Sequence, residues 1–93
     1  MKTPWGKPER TITVAKGIKW ISTASHGGYW LSHERMLQMP EHLRKCSYTG
    51  DNFFEEDCSW CAVVLAFPSV FGAQDYAQAK SIYENFYAKK EAA

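Results

Sequence analysis

Two short clusters in this chain combine residue types and spacing that point to chemistry. The first is an acidic run that leads into a C-x-x-C pair, in the order Glu55-Glu56-Asp57-Cys58-Ser59-Trp60-Cys61. The second is the tetrapeptide Ser25-His26-Gly27-Gly28. A histidine beside carboxylates can act as a general base, and a glycine-opened turn can present backbone amides to an anion. Both clusters are therefore candidate sites.

The acidic run has a catalytic interpretation and a structural one. Glu55, Glu56 and Asp57 could bind a divalent cation or act as an acid and a base. Neighbouring helical residues point about a third of a turn apart, so the three carboxylates cannot converge on one ion unless the chain bends before the helix. Negative charge in the first turn of a helix is stabilising and explains the run without a metal. An active site would be credible only if His26 faced this acidic corner, which the sequence does not decide.

The tetrapeptide is also typical of a β-hairpin turn. In that interpretation Gly27 and Gly28 supply the positive φ angles that tight turns require, and His26 is a solvated turn residue. Taken alone, the motif favours this interpretation over a functional one. Ser25 and His26 are sequence neighbours, so they do not by themselves form a nucleophile and its base.

The spacing of Cys58 and Cys61 is used both for zinc sites and for redox dithiols. A zinc site needs four ligands, and the sequence offers only Cys46 and scattered histidines to complete one. The upstream carboxylates disfavour the thiolate that a redox pair needs. Buried, reduced thiols are the favoured interpretation, and a zinc-stabilised module on Cys58, Cys61 and Cys46 is the alternative.

The overall composition restricts the classes of function. The 93 residues suffice for one modest core, and apolar and aromatic contents of 45% and 15% predict a folded globule. The net charge is +1, from 11 basic and 10 acidic residues, so we expect no nucleic-acid partner. No apolar run approaches membrane-spanning length, so we expect a cytoplasmic protein without membrane contact. No motif calls for a cofactor, and none is predicted.

The first third of the chain predicts a three-stranded antiparallel sheet. Its strands span about residues 10–15, 18–24 and 28–32. Lys16-Gly17 predicts the tight turn between the first two strands. Residue alternation places Ile18 and Trp20 on one face of the second strand and Ile21 on the other.

Two longer helices are predicted after the sheet. The acidic start and the alanines of the central apolar run favour a helix over about 56–67, ended by Pro68, although a buried strand would have a similar composition. Apolar residues at intervals of three and four predict an amphipathic helix over about 73–90. Its apolar stripe consists of Tyr76, Ala79, Tyr83 and Phe86. Shorter helical turns are expected after Ser32 and from Pro40.

These elements predict an α+β fold in which the sheet packs against the central and C-terminal helices. Residues 1–9, with Pro4, Gly6 and Pro8 around Trp5, are predicted to form a flexible N-terminal arm. Residues 10–93 then form a single domain. An uncovered edge of the sheet could recruit a second copy and form a homodimer.

A set of short motifs resembles those of an uncharacterised domain family found in bacterial, plasmid and phage proteins, sometimes attached to larger antirestriction-type polypeptides. The motifs are Ser25-His26-Gly27-Gly28, Leu31-Ser32, Met39-Pro40, Leu43-Arg44, Phe54-Glu55-Glu56-Asp57-Cys58 with Trp60, and Phe67-Pro68 with Phe71. The similarity covers about residues 18–71. The chain departs from the pattern at Ala24, where a proline is expected, and in a longer stretch between Arg44 and Phe53.

The resemblance implies a setting rather than a reaction. It suggests a protein of a mobile genetic element that inhibits a host defence system by occupying the surface of a host protein. The predicted binding residues are His26, Gly27, Gly28, Tyr29, Trp30, Glu55, Glu56 and Asp57. The first alternative is a small metal-dependent or acid/base hydrolase that uses His26 with Glu55, Glu56 and Asp57. The second is the zinc-stabilised module. The non-enzymatic binding protein is favoured over both.

Overall fold

The computed structural model describes residues 3–47 and 51–88 of the chain. Four antiparallel strands form one sheet in the order β1-β2-β3-β4. The strands are β1 (Arg10–Ala15), β2 (Ile18–Ser22), β3 (Gly27–Leu31) and β4 (Phe53–Glu55). The helices are α1 (His33–Gln38), α2 (Glu41–Arg44), α3 (Trp60–Ala66) and α4 (Ala73–Tyr83), and α4 continues into a π-helix (Glu84–Ala88).

The sheet corrects the prediction of three strands, while the α+β class is confirmed. The fourth strand, β4, pairs with β3 so that Phe54 lies opposite Tyr29 and Glu55 opposite Gly28. No strand was predicted between residues 32 and 56. Three residues are too few to show the alternation by which strands are recognised.

The central helix is shorter than predicted, and the acidic residues do not lie in its first turn. Glu55 ends β4, and the four residues after it form a turn before α3 begins at Trp60. The N–H of Glu56 donates to the carbonyl of Gly27 at 2.9 Å, which keeps the acidic run beside β3. The choice of a helix over a buried strand was right for residues 60–66. The helix ends before Pro68, as expected.

The C-terminal helix changes its geometry at its end. Ala79 is buried and Tyr83 is half-buried, as the stripe predicted, but Tyr76 and Phe86 are 39% and 53% exposed. The π-helical turn is wider than an α-helical one, so Tyr87 rather than Phe86 packs against the core. The predicted end near residue 90 lies outside the described residues.

The face of the sheet toward the helices carries the main core. Ile18, Leu31 and Phe54 project from this face and pack against Val63 of α3 and the nearby Phe67. α4 packs on the far side of α3, where Ala79 contacts Cys61 and Val64. Most of the apolar burial of the domain therefore lies between the sheet and α3.

The opposite face of the sheet is covered by the N-terminal segment. Trp5 is only 9% exposed and clusters with Ile21 and Phe53, and Trp30 packs beside them. The rings of Trp5 and Phe53 meet edge to face with centroids 5.6 Å apart. Residues 1–9 were predicted to be a flexible arm, and their mobility stays a prediction. Within them, Trp5 lies against the sheet.

The glycines play different roles from those expected. Gly17 has a φ of +81° and confirms the tight turn between β1 and β2. Among the described residues, Gly27 and Gly28 do not have positive φ, and they begin β3 instead of forming the turn. A Cβ atom on Gly28 would lie within 3.0 Å of the Phe54 carbonyl oxygen and of the Trp5 ring. Gly28 is therefore required for close packing rather than for turn geometry.

Candidate functional site

A cleft of about 300 Å³ brings together residues from the two clusters that the sequence analysis selected. It is lined by Trp5, His26, Glu55 and Asp57. His26 reaches the cleft from the turn between β2 and β3, and the carboxylates reach it from the end of β4 and the turn that follows. The question that the sequence left open is thereby answered, since His26 does share a cleft with the acidic run. Trp5 was not selected as a site residue.

Backbone hydrogen bonds fix the turn that carries His26. The N–H and the hydroxyl of Thr23 both donate to the carbonyl oxygen of His26, at 2.7 Å and 2.9 Å. The N–H of His26 donates in return to the Thr23 hydroxyl at 3.1 Å. Threonine hydroxyls commonly form such hydrogen bonds with backbone N–H and carbonyl groups in protein turns. The imidazole is left exposed at the rim of the cleft.

The carboxylate of Glu55 caps the turn that leads into α3. It accepts hydrogen bonds from the backbone N–H groups of Asp57, Cys58 and Ser59, at 2.6 Å, 2.9 Å and 3.1 Å. The Glu55 N–H donates to the Ser59 hydroxyl at 2.6 Å, which closes the turn from the other side. Three amides directed at one carboxylate form the kind of cap found at helix N-termini, although Glu55 itself lies in β4.

These hydrogen bonds set the protonation state of Glu55. Burial alone would raise its pKa, but the hydrogen bonds from Cys58, Ser59 and Asp57 outweigh that effect and lower the pKa below its ordinary value of 4.5. Glu55 is therefore ionised at neutral pH and held in one position. A carboxylate of this kind is a poor general base, because its proton affinity is reduced and its oxygens are already engaged.

The cleft has a negative charge, because no basic side chain neutralises its carboxylates among the described residues. Asp57 and Glu56 are exposed, and among the described residues neither they nor Glu55 form an ion pair with a lysine or arginine. Glu56 lies outside the lining, with a carboxylate oxygen 3.3 Å from where a Cβ on Gly27 would be. The cleft thus presents an ionised carboxylate, a second exposed one and an imidazole around the buried Trp5, which suits a cationic group.

Five of the eight predicted binding residues do not line the cleft. Gly27 and Gly28 are buried in β3, and Glu56 lies beside Gly27. The other two are aromatic. Tyr29 is on the helix-facing side of the sheet, where its ring meets Trp20 at 4.9 Å and Phe71 at 5.6 Å. Burial, and then the charge of Asp75, raises the pKa of Tyr29. Trp30 is on the opposite face of the sheet and does not line the cleft.

The three cysteines all lie in the described part of the chain, and none forms a disulfide. Burial raises the pKa of Cys61 to about 12, with further contributions from Cys46 and Cys58, so its thiol is protonated at neutral pH. Across residues 3–47 and 51–88, no three His, Cys, Asp or Glu side chains are grouped so that they could hold a metal ion. The zinc hypothesis stays a prediction that metal analysis can test.

The fold and site define a small α+β domain with a charged surface cleft. The chain matches the model of a family described as Domain of unknown function (DUF7007) over residues 1–92, and it belongs to that family. Comparisons with curated proteins and with solved structures found no match. Within the described residues, none of the helices has the length and apolar character needed to span a membrane.

Proposed function

We propose that this protein is a protein-binding domain whose cleft receives a lysine or arginine side chain of its partner. The observation that carries this proposal is the state of Glu55, which is ionised, fixed by three backbone amides and located in the same cleft as Asp57. A preorganised carboxylate loses little conformational freedom when a cation binds to it. The fixed negative charge of Glu55 would attract the cation, and the exposed carboxylate of Asp57 would accept charge-assisted hydrogen bonds from a guanidinium or an ammonium.

The shape of the cleft also supports a side chain as the bound group. A volume of about 300 Å³ is small for a drug-sized or cofactor ligand. Trp5 provides an apolar wall next to the carboxylates, and long basic side chains place their methylene stems against such surfaces while their charged ends contact polar groups. A basic residue that inserts from a partner surface would match both parts of the lining.

The proposal extends to the cellular setting through the sequence resemblance described above. We infer that the protein belongs to a mobile genetic element, acts in the host cytoplasm and inhibits a host defence protein by occupying its surface. The support for this part is the motif pattern around His26 and the acidic run, together with a small domain whose cleft, as far as the described residues line it, has no complete catalytic set.

A hydrolase is the second candidate, because His26 shares the cleft with two carboxylates. In that mechanism His26 would remove a proton from water and Asp57 would orient the imidazole. Among the described residues, none that lines the cleft is a serine, threonine or cysteine, so water is the nucleophile that this lining leaves. Glu55 is engaged as a cap and is not available as the acid or base. The binding function therefore fits the geometry better.

The test is capture of partners from a bacterial lysate, read by mass spectrometry. The bait proteins are the wild type, Asp57→Asn and Glu84→Gln, where Glu84 is an exposed carboxylate on the C-terminal helix that serves as a matched control. We expect a single stoichiometric protein on the wild type and on Glu84→Gln, and a loss of about tenfold or more on Asp57→Asn. Circular dichroism confirms that all three are folded.

Two results would count against the binding function. If folded wild type captures no protein, the proposed binding function is contradicted. If Asp57→Asn captures as much of the partner as wild type does, the partner does not bind at the cleft. His26→Ala separates the two candidates. Loss of a measurable turnover on model esters, phosphoesters or peptides in this variant would establish the hydrolase instead.

A further inference from the structure

A second concave surface lies beside the sheet and has the opposite charge. It is a groove of about 750 Å³ between the turn that joins β1 to β2, the end of β3 and helix α1. Lys16, Lys19 and Arg35 contribute three cations to its lining, and Glu34 contributes a single carboxylate. Within the described parts of the chain, none of these four side chains is in an ion pair. The groove therefore has an excess of positive charge that the described residues do not neutralise.

Arg35 is held in a fixed position in this groove. Its Nε donates to the carbonyl oxygen of Lys16 at 2.9 Å, and its guanidinium carbon lies 4.8 Å from the centre of the Phe67 ring. No further hydrogen bond from this guanidinium reaches another described residue. Its two terminal nitrogens are therefore available, and they have the spacing that binds a carboxylate with two parallel hydrogen bonds.

The walls of the groove are also constrained. Gly17 packs so closely on α1 that a Cβ there would lie within 3.0 Å of the Ser32 hydroxyl and of Arg35. The ammonium of Lys19 lies 5.4 Å from the centre of the Trp30 ring, and Trp30 packs against the cluster under Trp5. Arg35 and Lys19 are thus held against the rings of Phe67 and Trp30, which lowers the entropic cost of binding an anion.

We propose that this groove binds an acidic segment of a protein, with Arg35 holding one carboxylate and Lys16 and Lys19 attracting its neighbours. A nucleic acid fits less well, because single strands bind to exposed aromatic rings and Trp30 is half-buried with its face covered by Lys19. The site differs from the cleft in position and in charge. The inference does not rest on the proposed function and can hold if that function fails.

The test uses a fluorescein-labelled oligoglutamate peptide as the probe and an oligoglutamine peptide of the same length as its neutral counterpart. Binding is measured by fluorescence polarisation to wild type, Lys16→Glu and Lys19→Glu. Lys80→Glu is the matched control, since Lys80 is an exposed lysine of α4 outside the groove and its replacement changes the net charge equally. Arg35 is left intact because its contacts also support the fold.

We expect saturable binding of oligoglutamate to the wild type and no binding of oligoglutamine. Each groove variant should weaken the affinity about tenfold, while Lys80→Glu should change it less than about twofold. Either groove variant alone is sufficient to test the inference. If one of them fails to fold, the other still provides the test.

Three outcomes would overturn the inference. The first is the absence of saturable binding of the labelled peptide at protein concentrations up to about 1 mM. The second is a loss of affinity in Lys80→Glu equal to that in the groove variants. The third is tighter binding of a single-stranded oligothymidylate than of oligoglutamate, through the same lysines. The second would indicate a response to net charge alone. The third would identify the groove as a phosphate-binding surface.

Discussion

The two faces of the sheet differ in what their side chains do. On the helix-facing side, Ile18, Leu31 and Phe54 are fully buried, and they serve packing alone. The opposite face has the thinner cluster under Trp5, and the cleft and the groove both open beside it. Most of the apolar burial lies on the helix-facing side, so the opposite face can carry charged groups at a smaller cost in packing.

Adjacent residues of the shortest strand, β4, belong to the two different faces of the sheet. Phe53 and Phe54 point to opposite sides of β4, one to the Trp5 cluster and the other to the main core. Glu55, the next residue, points to the same side as Phe53 and lines the cleft. A strand of three residues thus connects the core to the site, and substitutions along it can test the division.

The largest expected effect is that of Phe54→Ala. Removing a fully buried ring from the main core should lower the free energy of unfolding by about 3–5 kcal/mol. Phe53→Ala is the matched variant. It removes a ring from the thinner cluster, which can collapse more readily, and should cost about 2 kcal/mol. Urea unfolding monitored by circular dichroism measures both, and an equal or reversed order would contradict the division between the faces.

The second effect concerns the close approach of the N-terminal segment to the sheet. Gly28→Ala would force the Phe54 carbonyl and the Trp5 ring apart and should destabilise the domain by about 2–3 kcal/mol. At Gly27 the nearest atoms to a Cβ are 3.1–3.3 Å away, so Gly27→Ala should change stability by less than about 1 kcal/mol. Similar stabilities for the two variants would show that Trp5 does not pack on Gly28.

The smallest effect is that of Glu55→Gln, which keeps the shape of the side chain but removes its charge and one of the two oxygens that accept from the amides. The expected loss is about 1 kcal/mol, the size of an N-cap replacement. Glu56→Gln is the control and should change stability by less than about 0.5 kcal/mol, since Glu56 is exposed and accepts no such set of amide bonds.

The effect of Glu55→Gln should also depend on pH. Because the pKa of Glu55 is lower in the folded state, its ionised form stabilises the domain fully above the ordinary value of 4.5. That contribution is lost as the pH falls through the lower folded-state pKa. The difference in stability between wild type and Glu55→Gln should therefore narrow on acidification below pH 4.5, and a constant difference would contradict the role of the charge.

Local patterns in the sequence predicted much of the fold. The alternation in β2 correctly separated Ile18 from Ile21, because strand side chains have a period of two and each face of β2 is covered. Ser32 was correctly expected to cap a helix, and its hydroxyl accepts from the Arg35 N–H at 3.3 Å. The π-helical turn displaced Phe86 from the predicted stripe. This displacement could not be predicted, because the wider geometry of such a turn leaves no signal in residue spacing.

The candidate site was predicted only in its parts. His26 and the acidic residues were chosen for their chemistry, but their convergence depends on the pairing of β3 with β4, a contact between distant parts of the chain. Trp5 was missed because the proline and glycine residues around it suggested a loose arm. Its burial depends on the absence of a side chain at Gly28, which the sequence analysis attributed to turn geometry.

The most direct test of the account is an NMR titration of the Glu55 side-chain carboxyl carbon, followed together with the backbone amides of Cys58 and Ser59. We predict a midpoint below 4.5, with both amides shifting at the same midpoint as their hydrogen bonds to the carboxylate weaken. This result would establish Glu55 as an ionised cap that presents a fixed negative charge to a binding partner. A midpoint above 4.5, with amides that do not respond, would instead indicate a proton-exchanging group and contradict the binding account.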